Sequence, residues 1–121
     1  MIVAGLVVAG AVGAACRFLV ERYVRDRTSG VFPWGILLIN VSGSLILGFL
    51  TGLALYHGLP TTPRVLLGTG FCGAYTTFST FTFDTVHLLE EGATTPALLN
   101  TLASLAATTA AAALGLALAA L

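Results

Sequence analysis

Residues 68–84 read GTGFCGAYTTFSTFTFD. The stretch opens with three glycines in six residues, ends on an aspartate, and crowds five threonines and a serine among its phenylalanines. Glycine weakens a helix through backbone entropy, and threonine through lost rotamer freedom. Backbone that leaves the helix inside a bilayer must find new partners for its N–H and C=O groups. Such interruptions survive only when buried in protein or lining a wet cavity. Two readings follow. In the first, the helix breaks around Gly73–Thr77 and the break holds an ion, as the broken helices of transporters turn freed carbonyls toward cations. In the second, the helix stays intact and the hydroxyls bond back to carbonyls one turn earlier.

The rest of the chain says which solvent applies. Of 121 residues, 57% are apolar and 8% charged, against about 25% charged in soluble domains. So few charges cannot cover a water-soluble surface, and the bilayer is the expected surrounding. Five arginines balance five acids, with no lysine. This argues against nucleic acid as a partner and against a polybasic lipid-binding arm. Cys16 and Cys72 fall in apolar runs without a CxxC pair, so both are expected to be buried free thiols. The N-terminal MIVAGLVVAGAVGAAC lacks the basic region of a signal peptide and reads as a first membrane helix.

A spanning helix needs about 20 mostly apolar residues. The pattern predicts one all-α membrane domain over residues 1–121, with spans near 2–20, 34–56, 65–89 and 97–121. Glu21, Arg22, Arg25, Asp26 and Arg27 mark the end of the first span. Trp34 and Tyr56 bracket the second as interfacial anchors. Thr95 and Pro96 are expected as N-cap and first residue of the fourth. Four spans put both termini on one side. Arg22, Arg25 and Arg27 in the first loop, against Arg64 alone opposite, favour termini outside.

Asn40, Ser44, Gly48 and Gly52 recur at four-residue spacing and share one helix face. Small residues at that spacing let membrane helices approach closely. Packing is the expected role of Gly48 and Gly52, while the polar end at Asn40 and Ser44 invites a functional one.

GAYTTFSTF at 73–81 resembles the third-helix signature of the Fluc, or CrcB-like, fluoride channels. AGAVGAACRF at 9–18 and NVSGSLILGF at 40–49 are similar to the first- and second-helix patterns of that family, in the same order. The resemblance implies an antiparallel, dual-topology dimer of four-helix subunits with a broken third helix, two fluoride pores and one structural sodium ion at the interface. It implies that the carbonyls of Gly73 and Thr76 hold sodium. Phe78 and Phe81 would flank fluoride, Asn40 would line the pore, and Arg17 would stand at the aqueous vestibule. Ser79, Thr80 and, on the fourth helix, Ser104 would line a polar track. Family members often carry tyrosine where this chain has Asn100. The implied activity is passive fluoride export from the cell through the inner (plasma) membrane, by an inverted homodimer or a pair with an oppositely oriented sister subunit.

The residues bear on this independently. Phe78 and Phe81, three apart, share a face of a regular helix. Ring edges are positive and can meet an anion without a fixed charge that would trap it, although two membrane phenylalanines also suit plain packing. The Asn40 amide can donate to an anion or bond to another helix. Arg17 either raises anion concentration at a mouth or snorkels to the interface. Facing carbonyls from two breaks would suit a hard cation.

A proton-coupled multidrug transporter is the rival four-helix reading. It needs a carboxylate within the membrane, and Asp84, near one end of the third span, is the only acid within a span. A non-conducting assembly subunit would explain the small-residue stripe but not the threonines. His57, His87 and Ser79 form no catalytic constellation in the sequence, so no enzyme activity is expected.

Overall fold

The apolar runs fold as helices, and only helices occur in the computed structural model, which describes Met1–Leu121. The first, α1 (Ile2–Arg25), continues past the predicted end at residue 20 into the charge cluster. Glu21 and Arg25 pair at 2.6 Å one turn apart, and Arg22 and Arg25 complement the negative end of the helix dipole. The second, α2 (Trp34–Tyr56), has the predicted bounds.

The third segment is composite. It begins with α3 (Thr61–Arg64), widens into a π-helix over Val65–Cys72, and tightens again in α4 (Gly73–Tyr75). Thr76 and Thr77 are extended, and α5 (Phe78–Glu90) follows. The break therefore falls at the C-terminal edge of the expected Gly73–Thr77 window, and Gly73 itself stays helical. The eight-residue π-helix goes beyond what composition suggested. Its Gly68 and Gly70 are buried, and Gly70 packs against Leu6 and Ala9 of α1.

The last helix, α6 (Thr94–Leu118), begins before the expected Thr95 cap, with Ala93 in the N-cap position. Pro96 is then third in the helix, where its missing N–H removes no intrahelical bond. The reach backward follows from a tight turn. Gly92 sits at φ 77, and the Gly92 and Ala93 N–H groups close onto Leu89 and Leu88 carbonyls, a glycine-dependent helix stop.

Helices α1, α2 and α6 are each long and apolar enough to cross a bilayer. The pairing of α2 with α6 rests on glycines. A Cβ at Gly48 would fall on the Ala112 carbonyl, and one at Gly115 on the Leu45 carbonyl. The stripe on α2 is thus a packing surface at Gly48 and Gly52. Ile36, Ile39 and Tyr75 form a small buried core, with Cys16, Val20, Phe71 and Phe81 around it. Cys72 is buried and Cys16 half-buried, both as free thiols. Only 19 of the 121 residues are buried. Phe18, Leu102, Leu105 and Leu114 lie exposed among many other apolar side chains, a surface suited to lipid or to another protein.

Gly48→Val puts branched carbon onto the Ala112 backbone, which cannot swing aside. The expected result is a loss of about 1–3 kcal/mol or more, read as a lower thermal midpoint of the protein in detergent. Gly30→Ala, with open space around the side chain, should leave α2–α6 packing unchanged despite the strain at its φ of 91.

Candidate functional site

The site grows from the two extended residues. Thr76 (φ −78, ψ 161) still closes its N–H onto Cys72 O at 2.9 Å, and its hydroxyl reaches the same oxygen at 2.8 Å. Thr77 (φ −151, ψ 126) leaves the ladder. Its N–H donates to Asn40 Oδ1 and its C=O accepts from Asn40 Nδ2, both at 2.9 Å. The Asn40 amide thus pairs with the Thr77 backbone as a peptide group would. In a continuous helix the Thr77 N–H would bond to Gly73 O, so that carbonyl is released.

The buried Thr77 side chain then starts the next helix. Its Oγ1 accepts from the Thr80 N–H at 3.2 Å, an N-cap bond, and its hydroxyl donates to Thr80 Oγ1 at 3.1 Å. Gly43 allows the close approach, because a Cβ there would fall on Thr76 Cγ2. The Tyr75 hydroxyl meets Ser42 Oγ at 2.9 Å, a second tie to α2. From the other side Arg17 Nη1 donates to Thr76 O at 3.3 Å.

A cleft of about 560 Å³ opens beside the break. Asn40, Ser44, Gly73, Thr76, Phe78, Phe81 and Ser104 line it, together with Thr101 and Thr108. None of its lining residues is charged. The Phe78 and Phe81 rings lie 5.9 Å apart, tilted by 46°. Phe78 is 79% exposed, whereas Phe81 packs on the core.

The hydroxyls on this wall differ in what they can still donate. Thr101 and Thr108 give their protons to Ala97 O (3.0 Å) and Ser104 O (2.6 Å). Ser104 Oγ is buried without a hydrogen-bond partner. Asn40 spends one of its two N–H groups on Thr77 and keeps the other. Neutral donors beside aromatic rings, whose edges are positive, suit a small anion stripped of water, held without a countercharge that would arrest it.

Several expected residues lie elsewhere. Ser79 and Thr80 cluster around Thr77 at the start of α5 and are not on the cleft wall. The reason is the cap: Thr77 Oγ1 serves the Thr80 N–H, one of the unpaired groups of the first turn of α5, and the Ser79 and Thr80 hydroxyls gather on Thr77 Oγ1. Arg17, expected at the vestibule and not on the wall, turns to the freed Thr76 carbonyl. Asp84 lines a separate cavity of about 350 Å³ with Glu21, Arg25, His87 and Glu91.

Thr101 and Thr108 were not singled out from the sequence, and Thr77 only as the edge of the expected break, because their roles depend on partners in other turns or helices. Asn100 is 1% exposed and donates to Thr85 Oγ1 at 2.9 Å, and Thr85 in turn donates to Phe81 O at 2.8 Å. An amide in an apolar run was the available signal, but its partner was not.

Comparison with known proteins identifies the family. The family model described as "CrcB-like protein, Camphor Resistance (CrcB)" matches residues 4–116. The chain belongs to the CrcB-like family. Among CrcB-like relatives, a protein of Streptomyces avermitilis named "Fluoride-specific ion channel FluC 1" is 50% identical over 103 residues, covering 84% of this chain and 83% of the relative. "Fluoride-specific ion channel FluC 2" of Mycobacterium tuberculosis is 45% identical over 111 residues, covering 92% and 85%. "Fluoride-specific ion channel FluC 1" of Frankia casuarinae is 46% identical over 120 residues, covering 94% and 93%.

Removing the Asn40 amide strands both backbone groups of Thr77. Asn40→Ala should destabilise the fold by about 1–3 kcal/mol for each group that water cannot reach. Asn40→Asp, which keeps only the acceptor, should fall between alanine and wild type in thermal midpoint. Equal midpoints for all three would remove the amide from its structural role.

Proposed function

We propose that this CrcB-like chain is one subunit of a passive fluoride channel. In this reading residues 61–90, in two halves, make a fourth membrane crossing beside α1, α2 and α6. The observation that carries it is the uncharged cleft, with the unpartnered hydroxyl of buried Ser104 on the same wall as Phe78 and Phe81. Relatives named as fluoride-specific channels, at 45–50% identity over most of the chain, support the choice of anion. Fluoride leaves its hydration shell for the Ser104 hydroxyl, the spare Asn40 N–H and the ring edges. The Ser79 and Thr80 hydroxyls act by holding the Thr77 cap of α5 in place, which aims Phe78 and Phe81. The Arg17 charge favours anions near the break.

The working unit is an inverted dimer in the inner membrane, formed with a second copy or with a sister subunit of opposite orientation. Its physiological role is relief of fluoride toxicity. Hydrogen fluoride crosses membranes as a neutral acid and dissociates inside, and the anion leaves through the channel without energy coupling.

The carbonyls of Gly73 and Thr76 would hold a structural sodium ion in this dimer, and they fit it. Gly73 O is freed when Thr77 N–H turns to Asn40. Thr76 lies in extended backbone, and its oxygen retains a lone pair beyond the Arg17 bond. Both are hard, neutral oxygen donors of the kind that coordinate sodium in broken helices. One chain supplies only part of a shell, and an inverted partner would complete it. Bound there, the ion would neutralise stranded carbonyl dipoles.

Purified chain reconstituted into liposomes should release fluoride rapidly and chloride slowly. Phe78→Ile and Phe81→Ile should each slow fluoride efflux at least about tenfold, roughly 1.4 kcal/mol of barrier, with the oligomer unchanged by gel filtration. Ser104→Ala should slow it more than Thr108→Val, whose hydroxyl proton is already committed. Vesicles that contain folded wild-type chain yet retain fluoride would overturn self-sufficiency. If a sister subunit does not restore efflux either, the channel reading falls.

A further inference from the structure

Arg17 reaches from α1 to the break and donates to Thr76 O at 3.3 Å. It is half-buried. It has no carboxylate partner, since the ion pairs of the chain are Arg25–Glu21 and His87–Glu91. A guanidinium stays protonated in proteins, so a permanent positive charge is aimed at one of the two carbonyls that sodium would use. The contact is at the long end for N–H···O, which leaves the oxygen open to a second interaction. Gly73 O receives no such cover from Arg17.

Two cations on one oxygen repel each other, and half-buried groups such as Arg17 and Thr76 are screened less than exposed ones. We propose that Arg17 is a positioning residue that competes with sodium for the Thr76 carbonyl. This inference rests on the sodium reading above. Before a partner and an ion arrive, Arg17 satisfies a carbonyl that apolar surroundings would otherwise strand. Once they arrive, its charge holds sodium affinity down. The break is then satisfied in the lone subunit and in the assembled one, by different cations.

The test is a sodium titration of thermal stability, on purified dimer in detergent, with N-methylglucamine chloride holding ionic strength constant. Ligand that binds the folded state raises the midpoint with concentration, so the readout is the sodium concentration giving half of the rise. Arg17→Gln and Arg17→Met remove the charge, and either suffices if the other does not fold. Both should lower the half-saturating concentration about tenfold, equivalent to about 1.4 kcal/mol. Arg17→Lys keeps the charge and should stay within about threefold of wild type. Neutral variants that saturate at the same or higher sodium than wild type overturn the competition while leaving the sodium site standing. A wild-type midpoint indifferent to sodium overturns both.

Discussion

Two peptide units, those of Thr76 and Thr77, stand outside any helix in a chain otherwise clothed in apolar side chains. A buried backbone group left without a partner costs about 1–3 kcal/mol, and several such groups together would rival the whole stability of a small domain. The rest of the structure answers that demand. Asn40 takes both groups of Thr77, Cys72 O takes the Thr76 N–H, Arg17 serves the Thr76 carbonyl, and Thr77 Oγ1 serves Thr80 N–H. Each partner from another helix fixes where that helix lies.

The helix α2 is therefore held from two sides. Near Asn40 it must come close enough for a side-chain amide to reach backbone, which Gly43 permits. Further along, Gly48 and Gly52 press it against α6. On α1, a Cβ at Gly13 would fall on the Phe71 carbonyl, so the π-helical stretch is also approached at backbone distance. In a bilayer, helices gain little from burying apolar surface against each other, and close packing plus interhelical hydrogen bonds decide the arrangement. The glycine contacts and the Asn40–Thr77 pair are those two terms.

The cleft inherits its chemistry from the same arrangement. Most threonine hydroxyls near it are spent on backbone carbonyls one turn earlier, as at Thr76, Thr101 and Thr108. Both initial readings of the threonine-rich stretch thus hold in part: the helix breaks, and hydroxyls also bond back. The donors that remain, on Ser44, Ser104 and Asn40, are neutral. A neutral wall lets an ion pass where a charge would retain it. The carboxylate that a proton-coupled exchanger would need is not on this wall, because Asp84 lines the separate cavity beside Glu21 and His87.

Local chemistry determined much of this protein from sequence alone. Apolar length marked α1, α2 and α6, and Glu21, Trp34 and Thr95 bounded them to within a few residues. Glycines and threonines concentrated between 68 and 84 placed the interruption within one turn, because helix propensity is a property of the residues themselves. The motif around Thr76–Phe81 identified the family. Tertiary structure decided the rest. The partner of Thr77 lies 37 residues away and that of Asn100 lies 15 away, separations that no periodicity encodes. The π-helix over Val65–Cys72, the pairing of α2 with α6 and the turn of Arg17 toward Thr76 likewise follow from which backbones meet. A sequence shows which groups need partners, but the packing of the helices chooses them.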